Sequence, residues 1–184
     1  MPINVKRRTV PHAGVDVVNI TLRETYSVEG VGHDTVELTG ELEAHRGAPL
    51  TGQSGEKSWE NATIVALFTN LSVSGHSDVF GPVRVTLNRD IPSFGAVQAG
   101  KCKASMNLRV TMPKLGLVLN SAEPVQLWSD VETVPPIGDE RTQSVGAVEL
   151  IEAATGRSRG QLREAVVAWR DLLHQKALTN THGG

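Results

Sequence analysis

The stretch from Lys101 to Met112 alternates strictly between apolar and polar side chains. Every second residue from Cys102 to Met112 is apolar, and the residues between them are basic, amide or hydroxyl side chains. Because successive side chains of a strand point to opposite faces, this pattern predicts a β-strand with one buried face and one wet, basic face. A helix would spread the same residues around its whole circumference.

Residues 34–45 alternate in the same way, but their polar face is acidic. Its outward side chains include Glu37, Glu41 and Glu43. The two stretches would complement each other in charge if they were neighbours in one sheet, and such cross-strand pairs contribute up to about 1 kcal/mol each. This suggests the hypothesis that Glu41 and Lys103 lie side by side.

Further short strands are expected between and around these two stretches, with Gly, Pro, Asn and Asp turns separating them. The spacing predicts a mainly β fold, an antiparallel β-sandwich or barrel of about 8–10 strands. Residues 1–13 are expected to be a flexible or edge N-terminal segment, and residues 14–134 the antiparallel β body. The remaining strands of that body are expected at 15–22, 24–30, 58–73, 83–87, 96–98, 115–119 and 125–133.

Residues 135–184 show a different pattern. Pro135-Pro136 is interpreted as a connector and residues 145–153 as an edge hairpin. Ser158 and Gln161 then have the spacing of a capping box, which predicts a C-terminal amphipathic α-helix of about 18 residues. Its apolar stripe is expected to pack on the β body or on a neighbouring subunit, and its candidate interface residues are Leu162, Val166, Trp169, Leu172 and Leu173.

Composition excludes several classes of function. The chain has 184 residues and a formal charge of −2, so neither a nucleic-acid nor a membrane partner is expected. A single cysteine excludes an internal disulfide framework and a Cys-rich zinc site. Since no apolar run follows the basic start of the chain, a secretory signal is not expected and a cytoplasmic location is predicted.

The sequence contains no recognisable catalytic motif. Cys102 shares the apolar phase of its strand, which predicts a buried, inert thiol. No catalytic, metal or cofactor-binding residue is assigned, and no cofactor is expected. A candidate polar loop site is formed by two turns in which a histidine and a carboxylate could converge, although solvated turns with capping aspartates are the default interpretation (His33, Asp34, His76 and Asp78).

Two functions therefore stay open. The first is a non-enzymatic β-sandwich for binding or assembly, with a homo-oligomer or protein partner reached through the tail helix or the sheet edges. The alternative is a β-barrel whose apolar cavity takes a small molecule, as a carrier or as a cofactor-free cyclase or isomerase working by shape and orientation. A closed strand order and an apolar cavity of at least about 300 Å³ would favour the barrel. Its candidate lining residues are Met106, Leu108, Trp59 and Trp128.

Overall fold

The computed structural model describes residues 12–50, 62–132 and 134–177. They form twelve strands, all paired antiparallel, and one 3₁₀ turn at Pro113–Leu115. Among these residues there is no helix long and apolar enough to cross a membrane. The strands are β1 (Gly14–Val28), β2 (Gly32–Arg46), β3 (Thr63–Ser77), β4 (Gly81–Leu87), β5 (Ser93–Gln98), β6 (Lys101–Met106), β7 (Leu108–Met112), β8 (Leu117–Ser121), β9 (Val125–Asp130), β10 (Glu140–Ser144), β11 (Val148–Glu152) and β12 (Ser158–Ala177).

The strand pairings close two barrels that share their four long strands, β1, β2, β3 and β12. Barrel A follows the order β1-β2-β3-β4-β7-β8-β11-β12 and returns to β1. Barrel B follows the order β1-β2-β3-β5-β6-β9-β10-β12 and also returns to β1. Residues 72–77 of β3 pair with β4, whereas residues 63–68 pair with β5. The two barrels therefore lie end to end along the long strands, and every described strand has at least two neighbours.

The region between the two barrels is a waist, where the chain passes from a short strand of one barrel to a short strand of the other. At one such crossing Asn107 separates β6 from β7, which divides the alternating stretch into two strands. Backbone groups that lose ladder partners there are bonded by buried side chains. The Asn107 amide donates to Ser93 Oγ at 2.8 Å, and the Leu108 amide donates to Ser121 Oγ at 3.0 Å. Polar side chains at the waist thus allow the chain to pass from one barrel to the other.

The C-terminal helix prediction is wrong. Residues Ser158–Ala177 form strand β12, which pairs with β1 along its length and also with β10 and β11. Three register shifts against β1 bring side chains with helix-like spacing onto the inner face of a strand. A side chain at Gly160 would collide with the backbone of Ser27, so glycine there allows the close pairing. Tertiary pairing outweighs the local helix signal at this site.

The hypothesis that Glu41 and Lys103 are neighbours is also wrong. Glu41 lies opposite Asn19 on β1 and Ser72 on β3. Lys103 lies opposite Ala96 on β5 and Trp128 on β9. Charge complementarity between two alternating strands did not determine their order in the sheet, since each exposed pair contributes so little energy.

Candidate binding cavity

The interior of barrel A is filled by large side chains. Tyr26 and Phe80 are fully buried and meet edge to face, with ring centroids 6.3 Å apart. Leucine, valine and methionine side chains from all eight strands pack around them. The barrel also contains Glu24, which accepts a hydrogen bond from the Tyr26 hydroxyl. Burial raises the pKa of Glu24 to about 8, so this carboxyl is neutral at pH 7.

Barrel B contains an apolar cavity of about 50 Å³. Its lining combines small residues such as Ala44 and Gly95 with larger side chains such as Leu42 and Phe68. A Cβ at Gly95 would lie 2.8 Å from Phe68 Cζ, so the absent side chain makes room for the ring. The volume is well below the roughly 300 Å³ of ordinary ligand sites. A molecule larger than a few water molecules therefore requires the wall to move.

One wall of the cavity lies outside the sheet. It consists of Val134, Pro135 and Pro136, in the connector between β9 and β10. Prolines have no amide hydrogen and cannot donate to a strand ladder. This segment is consequently a part of the lining that takes no part in strand pairing.

A buried ion pair contributes the polar part of the lining. Arg46, at the end of β2, donates from Nε to Asp16 Oδ2 at 2.8 Å and from Nη2 to Asp16 Oδ1 at 3.1 Å. Both side chains are at most 3% exposed. Within the described part of the chain, Arg46 Nη1 is buried and has no hydrogen-bond partner. A buried donor left in that state costs about 1–3 kcal/mol, so the cavity favours a ligand that supplies an acceptor.

Cys102 also lines the cavity. Its thiol is buried, and the desolvation together with the charge of Glu140 raises its pKa to about 12. The thiolate is the reactive form of cysteine, and it is not populated near neutral pH. The prediction that the thiol is buried is therefore confirmed, and its raised pKa agrees with low reactivity.

The residues predicted as an interface are divided between the interior and the surface. Leu162 and Trp169 are buried in the barrels, and Trp169 Nε1 donates to Thr142 Oγ1 at 3.1 Å. Trp169 lines the cavity and is not a surface anchor. Val166 is half-buried, while Leu172 and Leu173 are exposed. Contact of these two leucines with a second copy stays a prediction.

The residues predicted to line a cavity do not line this one. Met106 and Leu108 are buried in the core on either side of the waist. Trp128 is 45% exposed on the outer face of barrel B, under the ammonium groups of Lys101 and Lys103. Trp59 lies outside the described residues.

Sequence reasoning missed Asp16 and Arg46, although a signal was present. Asp16 has the same parity as the inward-facing Val18, and Arg46 has the same parity as Leu42 and Ala44. A charged residue in the buried phase of an alternating strand must have a partner, because an isolated buried charge is very costly. Two such residues of opposite sign predict a pair.

The candidate polar loop site lies at the far end of barrel A. Ser77 Oγ donates to Asp34 Oδ2 at 2.5 Å, and the Thr35 amide donates to Asp34 Oδ1 at 2.9 Å. The Ser77 hydrogen bond is the largest cause that lowers the pKa of Asp34. His33 lies near the start of β2, His76 near the end of β3 and Asp78 in the turn after β3, and no cluster of three or more metal-ligating side chains occurs among the described residues. Asp34 accepts a backbone amide hydrogen bond as the default interpretation expects, and a capping role for Asp78 stays a prediction.

Two closed eight-stranded barrels built on shared strands define this chain as a double β-barrel protein. The chain belongs to a family of unknown function (DUF6073), whose sequence profile matches residues 1–179. Its structure is similar to that of DynF from the dynemicin biosynthesis pathway of Micromonospora chersina, with a TM-score of 0.80 and 22% identity over 95% of this chain and 93% of DynF. That likeness shows a common fold. No curated protein sequence matches the chain.

Proposed function

We propose that the protein binds a small, mostly apolar molecule in barrel B and serves as its carrier. The observation that carries the proposal is the unpartnered Nη1 of Arg46, whose side chain lines this mostly apolar cavity. The ligand class is an apolar skeleton with one hydrogen-bond acceptor. The carboxylate of Asp16 already balances the charge of Arg46, so a neutral carbonyl or hydroxyl oxygen suits the site.

The lining favours binding over catalysis. Its thiol is protonated, and both oxygens of the Asp16 carboxylate accept hydrogen bonds from Arg46. Neither group is poised to transfer a proton or attack a substrate. A small-molecule ligand also agrees with the biosynthetic setting of the similar structure. The carrier is therefore favoured over a cyclase or isomerase.

The assembly function depended on two structural features, a tail helix and free sheet edges. The tail helix is a strand, and the described strands close on themselves and leave no free sheet edge. Among the predicted interface residues, the exposed Leu172 and Leu173 remain in its favour.

The proposal is tested by titrating the ¹⁵N-labelled full chain with acetophenone and with ethylbenzene, which has the same skeleton without the carbonyl. We expect saturable amide shifts at cavity residues such as Val18 and Val97 for both probes. Acetophenone should bind about tenfold more tightly, because its oxygen accepts from Arg46 Nη1.

A matched pair of variants locates the site. Ala44→Val fills the cavity and should abolish the shifts, whereas Ala153→Val makes the same change at an exposed position and should leave them intact. Shifts that persist in the Ala44→Val variant, or that map to barrel A, would overturn the proposal. Equal affinity for the two probes would remove the role of Arg46.

A further inference from the structure

A second concave surface lies outside the barrels, where β3, β4 and β7 run side by side. It is a groove of about 530 Å³ that shares no lining residue with the apolar cavity. Three of its lining residues are arginines, namely Arg84, Arg89 and Arg109. Asp90 is the only carboxylate among the described residues that line it. The groove thus combines a net positive charge with a concave shape.

Strand register places two of these arginines together. Arg84 lies opposite Thr111, and Thr86 lies opposite Arg109, so the two arginines are diagonal neighbours on one outward face. Diagonal neighbours are about 7–8 Å apart, within reach of long side chains. Two like charges at that separation repel each other unless an anion lies between them.

The neighbouring strands do not supply that anion. Arg84 faces Ser74 of β3 on its other side, and Arg109 faces Asn120 of β8. Hydroxyl and amide side chains therefore flank the arginine pair across the strands. Asp90 is a weak partner, since its carboxylate is 3.8 Å from Arg109 Nη2 and its side chain is 83% exposed.

Arg109 is held in place by neutral groups. Its Nε donates to Asn120 Oδ1 at 3.0 Å, and its Nη2 donates to Asn88 Oδ1 at 3.4 Å. Amide oxygens orient a guanidinium without cancelling its charge. The positive charge of Arg109 consequently remains available to a ligand in the groove.

Two other exposed strand cations have an acidic residue opposite them. Arg23 lies opposite Glu37, and Lys101 lies opposite Asp130. The arginines of the groove depart from this arrangement, although the chain as a whole has a formal charge of −2. The groove therefore concentrates positive charge on a chain whose net charge is negative.

We propose that this groove binds the phosphate or diphosphate group of a small molecule. The planar guanidinium groups of Arg84 and Arg109 present paired donors that match phosphate oxygens. The hydroxyl groups of Ser72 and Thr86, which also line the groove, add neutral donors. Arg89 lies in the turn after β4 and completes the positive rim.

The test is a titration of the ¹⁵N-labelled full chain with inorganic pyrophosphate at low ionic strength. We expect saturable shifts on β4, β7 and residues 88–90. Arg84→Gln and Arg109→Gln should each weaken the affinity about tenfold, as loss of a charged hydrogen-bond donor does. The exposed Arg89→Gln variant should also weaken binding, and it puts no strand at risk. Arg23→Gln is the matched control, and its affinity should stay within twofold of the wild type.

Four outcomes would overturn the proposal. The first is the absence of saturable shifts in the groove. The second is an equal response to sulfate or chloride at matched ionic strength, which would indicate general screening of surface charge. The third is tighter binding of single-stranded RNA that increases with oligonucleotide length, which would assign the groove to nucleic acid. Pyrophosphate binding that survives in both Arg84→Gln and Arg109→Gln would likewise place the site elsewhere.

Discussion

Barrels A and B share β1, β2, β3 and β12, yet their interiors differ. Barrel A is filled by tyrosine, phenylalanine, leucine and methionine, and its buried acid, Glu24, is neutral. Barrel B has alanine and glycine around a cavity, and its buried acid, Asp16, is paired with Arg46. Side-chain size therefore decides whether a closed barrel of this kind has a solid core or a cavity. A buried carboxyl is stabilised by protonation in barrel A and by an ion pair in barrel B.

The largest effect is expected from breaking the ion pair of barrel B. Asp16→Asn leaves the guanidinium of Arg46 buried without its carboxylate, and loss of one partner of a buried pair costs about 3–5 kcal/mol. Urea unfolding monitored by fluorescence measures this loss. The double variant Asp16→Leu/Arg46→Met should recover most of it, because no charge is then left unpaired.

Asp130→Asn is the control for that prediction. Asp130 is exposed at the end of β9, and its substitution should change the free energy of unfolding by less than about 0.5 kcal/mol. A loss below 1 kcal/mol for Asp16→Asn would show that the pair does not differ from a surface contact.

A pH-dependent effect of a few kcal/mol is expected from the acid of barrel A. The pKa of Glu24 is about 8 in the folded chain and 4.5 as an unperturbed group. The folded state therefore retains a proton that the unfolded state loses, so this contribution to stability is complete below pH 4.5 and declines as the pH rises toward 8. The decline is at most about 1.4 kcal/mol per pH unit.

Glu24→Gln isolates that contribution. Glutamine keeps an oxygen that accepts from the Tyr26 hydroxyl, and it cannot ionise. Urea unfolding at pH 6 and pH 8 should show a marked loss of stability for the wild type and a smaller one for the variant. The same slope in both proteins would mean that Glu24 is not the group responsible.

The smallest expected effect is the difference in stability cost between enlarging an alanine in barrel A and enlarging one in barrel B. Ala165 faces Glu24 inside barrel A, and Ala44 lines the cavity of barrel B. Ala165→Val should destabilise the chain by about 1–3 kcal/mol through overpacking, whereas Ala44→Val fills empty space and should cost less than about 1 kcal/mol. Thermal unfolding of the two variants measures the difference. If both variants lose equal stability, the interiors are equally dense.

Much of the strand content could be predicted from the sequence, because alternation is a local property. Strands β2 and β4 lie close to the predicted ranges, and the alternation around Cys102 gave the correct buried face. The candidate site could not be predicted in the same way. The cavity combines residues from six strands with a proline connector, and their meeting depends on the strand order.

The sequence by itself determined which side chains of the regularly alternating strands β2 and β6 face inward, since a strand has a period of two whatever its neighbours are. It also determined that Cys102 is buried and that the fold is mainly β. Only the tertiary structure decided that residues 158–177 form a strand. Pairing with β1 closes both barrels, and this stabilises the chain more than the hydrogen bonds of a local helix would. Tertiary structure likewise decided the meeting of Asp16 with Arg46 and that of Arg84 with Arg109, since register between strands is set by the whole sheet.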